Sequence, residues 1–286
     1  MVTIKRLAII GVGLIGGSLA LALRRKGVVA EVVGIGRGEA NLRRGVELGV
    51  IDRYSLDPCS GVQDADMVFL ATPVCTIADV VARIAPYLAP GAVVTDGGSV
   101  KEEIVVSCEA LMPGGTCFVG GHPIAGTEHS GVEAAFATLY DNRRCILTPT
   151  ERTDPAALAA VAQMWEAAGS EVVLMDVQKH DRVLAAISHL PHMVAYSLVN
   201  AVGGYDRFDE NILRYSAGGF RDFTRIASSD PVMWRDIALM NRNALLEMID
   251  SFSGSLAELR TMVETSHSAG MEQFFATSKK LRDAIL

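Results

Sequence analysis

Short β-branched apolar runs alternate with longer stretches of helical periodicity through the first half of the chain. The runs that predict strands are Arg6 to Ile10, Glu31 to Ile35, Met67 to Ala71, Ala92 to Thr95 and Cys117 to Gly120. Between them the pattern predicts helices over Leu14 to Lys26, Ala40 to Gly49, Ile77 to Tyr87 and Lys101 to Leu111. Two further strands, Arg144 to Thr148 and Glu171 to Met175, flank a helix that starts near Thr153-Asp154-Pro155, where Asp-Pro is a natural helix entry. Such alternation is the signature of a parallel sheet covered by helices. After about Asp176 the strand signal stops. Apolar residues then recur at i, i+3, i+4 spacing: Val183, Ile187, Leu190 and Val194, then Ile237, Met240, Leu245 and Met248, then Leu256, Leu259 and Met262. The expected organisation is an α/β domain over residues 1–176 and an all-helical domain over 177–286.

With 286 residues, half of them hydrophobic and 21% charged, the chain can bury a large core, and disorder or coiled-coil readings fail. The net charge of −7 and pI near 5.4 offer no general attraction for nucleic acid or anionic membrane, so neither is an expected partner. An anionic substrate would need locally placed cations. The five cysteines, Cys59, Cys75, Cys108, Cys117 and Cys145, show no CxxC or zinc-finger spacing, which predicts neither a metal site nor a secreted disulfide framework. Lys5 and Arg6 followed by an apolar run resemble a signal peptide superficially, but the run is interrupted by glycines whose spacing has its own mechanism, and Arg24-Arg25-Lys26 stands where a cleavage site would lie. No other apolar run approaches the ~20 residues of a spanning helix. A cytoplasmic location is expected.

The segment Gly11-Val-Gly13-Leu14-Ile15-Gly16 follows a strand directly and opens a helix, the context a dinucleotide fingerprint requires. The first glycine permits the tight turn, the second lets a pyrophosphate approach the backbone, and the third lets helix and strand pack closely. The N-terminal domain is therefore expected to be of the Rossmann type, with Thr72 and Pro73, just after the third predicted strand, completing the cofactor-binding set. NAD-binding versions carry an acid at the end of the second strand, ~20 residues past the glycines. Here that place reads Gly34-Ile35-Gly36-Arg37, and Arg37 suits a 2′-phosphate or the adenine face. NAD or NADP is expected, with a lean to NADP; Glu39 is the alternative acid and a solvated Arg37 the bland reading.

Nucleotide binding does not name a reaction. Four segments carry the chemistry: Asp96-Gly-Gly-Ser99-Val-Lys101, Gly120-Gly-His122-Pro-Ile-Ala-Gly-Thr-Glu128, Ser188-His189-Leu-Pro-His192, and Gly218-Gly-Phe-Arg221-Asp222-Phe-Thr-Arg225-Ile-Ala227. Together they resemble the motifs of the prephenate/arogenate dehydrogenase family, in order, from the glycine loop through Trp234. No chorismate mutase segment is expected before Gly11, and no regulatory ACT domain after the helical region.

The resemblance implies oxidative decarboxylation of a cyclohexadienyl substrate in tyrosine biosynthesis. His122 would take the proton of the ring hydroxyl, a role suited to a histidine. Arg225 would clamp a carboxylate with the paired donors of a guanidinium, with Arg221 as the alternative and Asp222, at i−3, orienting Arg225. Ser99 and Ser188 would bond the substrate or support His122, with His192 on the face of Ser188; Gly218 joins the substrate set. His189 is as readily structural. Glu128 would make a gating or orienting ionic contact, or be a solvated acid. Asp230 would recognise the ammonium that distinguishes arogenate from prephenate, or cap the helix that Pro231 starts. Trp234 would approach the active site, or pack in a core. The implied assembly is a homodimer through the helical region. Rival readings are a β-hydroxyacid dehydrogenase or imine reductase, which would need a lysine in the helical domain, and a non-catalytic nicotinamide sensor. Lys179 is the single lysine between Lys101 and Lys279, and its surroundings do not match the first rival.

Overall fold

A computed structural model describes residues 4–127, 129–204 and 212–285. The strands are β1 (Ile4–Ile10), β2 (Val29–Ile35), β3 (Arg53–Ser55), β4 (Met67–Leu70), β5 (Val93–Asp96), β6 (Cys117–Pro123), β7 (Arg144–Thr148) and β8 (Glu171–Leu174). They form one sheet in the order β3-β2-β1-β4-β5-β6-β7-β8, parallel throughout except where β7 runs antiparallel to β6. The order of the first six is that of a doubly wound dinucleotide fold, with the switch point between β1 and β4. β3 is the strand that sequence periodicity did not predict; at three residues it is too short to show alternation.

Helices α1 (Leu14–Lys26), α2 (Glu39–Glu47), α3 (Pro58–Gly61), α4 (Ile77–Ile84), α5 (Glu102–Leu111) and α6 (Pro155–Ala167) lie between strands. The period-two rule sorts the strand side chains onto two faces. Leu7, Ile9 and Phe69 pack with Leu19 and Leu23 of α1 and with Trp165 of α6, whose indole meets Phe69 and Tyr140 edge-on. Ala8, Ile10, Val68, Leu70 and Val94 pack on the other face with Ile77 and Val81 of α4 and Ile104 of α5. Because both faces are covered, these strands read as unbroken apolar runs.

Beyond β8 the described residues are helical: α7 (Val177–Leu184), a π-turn over Ala185–His189, α8 (Leu190–Gly203), α9 (Gly218–Thr224), α10 (Pro231–Met240), α11 (Arg242–Glu264) and α12 (Ser268–Asp283). Val177 of α7 and Trp234 and Ile237 of α10 join the same core as α4 and α5. The chain divides into two compact units, 1–241 and 242–286. Within the second, α11 and α12 leave Phe252, Leu256, Val263, Phe275 and Leu281 exposed. In the first, the π-turn shifts the helix phase, so that Leu184, Ala185 and His189 are buried while Ile187, placed on the apolar stripe by its spacing, is 71% exposed.

Candidate active site

Parallel strands bring their carboxyl ends to one edge of the sheet, and the first part of the site is the glycine turn at that edge. Gly11 adopts φ +101, and a Cβ there would stand 2.4 Å from the Ala71 carbonyl oxygen, so only glycine fits. A Cβ on Gly16 would stand 2.3 Å from the Gly11 carbonyl oxygen, which is the close helix-to-strand approach. Gly13 has nothing within 4 Å of its Cβ position, and it caps α1 without a side-chain acceptor for the first-turn N–H groups. The turn borders a cleft of about 690 Å³ whose lining includes Gly11, Gly13, Arg37, Thr72 and Pro73. Leu14 is buried behind it, and the Ile15 carbonyl accepts from Tyr140 Oη (2.6 Å), so these two shape the turn from within. The Thr72 hydroxyl is buried without a partner, as expected of a group that bonds a ligand.

No carboxylate stands at the end of β2. Glu39 accepts from Tyr54 Oη (2.9 Å) and Arg43 Nη2 (3.0 Å), which hold it below the usual carboxylate range, and it is not part of the cleft lining. Arg37 is exposed at the cleft and makes no ion pair among the described residues. At this position the cleft is therefore lined by a guanidinium and not by a carboxylate.

The second part is built where β5 and β6 end. Asp96 and Lys101 are fully buried and paired through Oδ2 and Nζ. Asp96 also accepts from Gly98 N (2.8 Å) and Gly121 N (3.1 Å), while Lys101 Nζ donates to the Gly121 carbonyl (2.9 Å). Both charges thus have hydrogen-bond partners besides each other, the condition under which a buried pair is tolerated. It clamps the strand just before His122. A Cβ on Gly121 would stand 2.8 Å from the Asp96 carbonyl oxygen, which explains the paired glycines. β6 runs past β5 because β7 takes over its pairing, with His122 opposite Ile146. His122 is thereby carried beyond the end of β5, to the ligand-binding edge.

His122 is buried, and its Nδ1 lies 2.8 Å from His180 Nε2. His180 Nδ1 lies 2.7 Å from Asp181 Oδ1. Asp181 accepts the backbone N–H groups of Lys101 (2.8 Å) and Glu102 (2.9 Å), which begin α5. Burial pushes His122 well below its ordinary pKa, reinforced by His180, Lys101 and His189. His180 is lowered chiefly by burial, against the pull of Asp181. Burial would raise Asp181, but His180 and the two backbone donors bring it below the ordinary carboxylate value. Neither His180 nor Asp181 was singled out from sequence. The available signal was a polar pair on the buried face of a helix, between Val177 and Leu184.

The third part comes from the helices. His192 Nδ1 donates to the Ser188 carbonyl (2.9 Å), and its ring stacks on Trp234. Burial lowers its pKa and Arg225 lowers it further, which places Arg225 in its field. Arg225 heads a 3₁₀ turn, Arg225–Ser228, tied to α8 where Tyr196 Oη donates to the Ser229 carbonyl (2.8 Å). Gly218 and Asp222 lie on the exposed helix α9. No hydrogen bond or ion pair joins Asp222 to Arg225, so the expected orienting contact is not made among the described residues; both side chains are exposed, where water competes for the pair. Ser99 and Ser188 are half-buried in the two segments that frame His122, and neither hydroxyl bonds His122. His189 is inward and structural in contact: Asn241 Nδ2 reaches its Nδ1 (2.9 Å) and also donates to the Asp181 carbonyl (2.8 Å). Asp230 caps α10, accepting from Met233 N (2.8 Å). Glu128 lies outside the described residues. Among the described residues no group of His, Cys, Asp or Glu side chains converges on a metal position, and no helix is long and apolar enough to cross a membrane.

The nucleotide-binding domain model of prephenate dehydrogenase matches residues 19–174, and the dimerization domain model matches residues 176–280. The chain belongs to the prephenate dehydrogenase family. A cyclohexadienyl dehydrogenase of Zymomonas mobilis is 39% identical over all of this chain and 97% of its own length. The prephenate dehydrogenase of A. aeolicus, solved in complex with hydroxyphenyl propionate and NAD+, superposes with a TM-score of 0.94 at 37% identity, covering 100% of this chain and 99% of that one. A Synechocystis arogenate dehydrogenase superposes with a TM-score of 0.84 at 33% identity, covering 99% and 100%. Membership in the prephenate dehydrogenase family makes the chain a dehydrogenase.

Proposed function

We propose that the chain catalyses the oxidative decarboxylation of prephenate to 4-hydroxyphenylpyruvate, of arogenate to tyrosine, or of both, with NAD or NADP as hydride acceptor. The observation that carries this reading is His122: a buried histidine kept neutral at the strand edge beside a glycine-walled dinucleotide cleft. A neutral imidazole accepts the proton of the ring hydroxyl while the same carbon gives up hydride. The nicotinamide, when bound, supplies the hydride acceptor. Loss of the ring carboxylate as carbon dioxide then makes the ring aromatic, which drives the reaction forward. Arg225 clamps a substrate carboxylate, and Ser99, Ser188 and His192 bond the remaining polar groups; Asp222, Gly218, Glu128, Asp230 and Trp234 complete the substrate side.

For the cofactor we lean to NADP. Arg37 stands where the ribose-binding acid would be, and Glu39 is engaged by Tyr54 and Arg43. NAD is the second reading, favoured by the NAD+ complex of the A. aeolicus enzyme at 37% identity. The division at 176/177, a homodimer through the later helices and a cytoplasmic location belong to the same proposal; the apolar side chains left exposed on α11 and α12 support the dimer. The family models disfavour a β-hydroxyacid dehydrogenase or imine reductase, and a non-catalytic sensor has no use for a base at His122.

The test is a four-way initial-rate assay of purified protein, with prephenate or arogenate against NAD or NADP, following reduced-cofactor absorbance. Turnover is expected in at least one pairing, with NADP preferred. Silence in all four would overturn the reading.

A further inference from the structure

We propose that Asp181 and His180 form a positioning chain that holds His122 in the tautomer with its proton on Nδ1, leaving Nε2 as the atom that accepts the substrate proton. The chain has one possible direction. An ionised carboxylate only accepts hydrogen bonds. Asp181 is held ionised by two backbone donors at the positive end of α5, Lys101 N and Glu102 N, so its Oδ1 accepts a hydrogen bond from His180 Nδ1–H. A neutral His180 then has only a lone pair on Nε2. At 2.8 Å from that lone pair, His122 Nδ1 must carry the hydrogen, and neutral His122 presents its own lone pair on Nε2. When His122 takes up a proton at Nε2, the Nδ1–H bond to His180 is retained, and the Asp181 carboxylate two links away offsets the new charge.

The surroundings reinforce this polarity. Around the two rings stand Asp96 from β5, Lys101 from the start of α5, Cys145 from β7 and His189 from the turn before α8. The Lys101 charge is matched by Asp96, burial keeps Cys145 a neutral thiol, and burial lowers His189 to about 4, so it too is neutral. Among the described residues around the pair, Asp181 is therefore the anion with no cationic side chain matched to it. Asn241 fixes it from behind, donating to the Asp181 carbonyl while its amide also meets His189 Nδ1. The arrangement spans strand β6, helix α7 and the N-terminus of α5, elements far apart in sequence, so packing of the helical segment onto the sheet completes the base.

This inference rests on His122 as the base of the reaction proposed above, yet the tautomer can be read without turnover. Side-chain ¹⁵N–¹H correlation spectra of the intact protein at pH 7.5, with His122 assigned by loss of its signals in His122→Asn, should show Nδ1 protonated and Nε2 unprotonated. In His180→Leu, which keeps bulk and removes the acceptor, His122 should revert to the Nε2-protonated form that free imidazole prefers. Its kcat should fall at least about 10-fold with KM for the ring substrate within about twofold. His180→Gln, whose amide oxygen can accept from Nδ1, should recover part of that loss. An Nε2-protonated His122 in the wild type would overturn the proposal, with or without a foldable Leu variant. So would a Gln variant as impaired as Leu at equal melting temperature. The expected tautomer without turnover on either substrate would instead sink the functional reading and leave the chain of bonds standing.

Discussion

The imidazole of His192 lies flat on the indole of Trp234, with ring centroids 3.6 Å apart and planes at 22°. Trp234 is nearly fully buried, and His189 meets it edge-on with ring centroids 6.0 Å apart. One side chain thus positions the His192 ring and fills the core beneath α10, which is the packing role that its sequence position offered. Trp234→Ala should lower unfolding free energy by roughly 3 kcal/mol, the usual loss for a large buried aromatic. Urea denaturation measures it, and a loss below about 1 kcal/mol would mean that the indole is not part of the core.

The glycine turn separates folding from binding. Gly16→Ala drives a Cβ into the Gly11 carbonyl and should lower the melting temperature by several degrees. Gly13→Ala meets nothing within 4 Å and should melt as the wild type does, while raising KM for the cofactor at least about 10-fold, because the new methyl enters the space where a pyrophosphate approaches. Unchanged cofactor KM in Gly13→Ala would place the pyrophosphate elsewhere.

His122→Asn should reduce kcat by about 10²- to 10⁴-fold with little change in KM, the signature of an interaction made in the transition state. Its acid limb follows from the sign of the shift. Burial and neighbouring positive charge disfavour the imidazolium, so the neutral base persists below the ordinary value of 6.5. The rate should therefore stay level through neutrality and fall only at more acidic pH. A midpoint at or above 6.5 in kcat would contradict the buried, neutral base.

His189 makes a matching prediction for stability. Its folded-state pKa is lowered by burial to about 4 from 6.5. The unfolded chain then binds a proton that the folded chain refuses, so stability is intact above about pH 6.5 and falls as pH drops toward about 4. The loss attributable to this residue is on the order of 3 kcal/mol. Comparing urea midpoints of wild type and His189→Gln at pH 7.5 and pH 5 should show a smaller decline in the variant; equal declines would refute the assignment.

Arg225→Gln should raise KM for the ring substrate about 10- to 100-fold and leave kcat nearly unchanged, consistent with loss of a charged hydrogen bond made equally before and during reaction. If KM is unmoved and Arg221→Gln raises it instead, the carboxylate clamp belongs to Arg221. Arg225 is the first choice because it is the arginine whose charge reaches His192.

The strand-and-helix plan and the glycine turn were legible from the residues alone. Leu14–Lys26 and Arg144–Thr148 occur with the bounds that periodicity predicts, and the glycine spacing marked the cleft now lined by Gly11, Gly13, Arg37, Thr72 and Pro73. These features are local: a helix face, a pleated strand and a tight turn each write their periodicity or steric demand into neighbouring residues. Tertiary structure decided the rest. That Glu39 turns to Tyr54, that a π-turn exposes Ile187 and buries His189, that Asp222 fails to meet Arg225, and that His180 and Asp181 stand behind His122 were not readable from spacing. A buried polar group must find a partner, and sequence can reveal that need. Which partner it finds depends on packing between elements distant along the chain, here β6 with α7, and no local pattern records that choice.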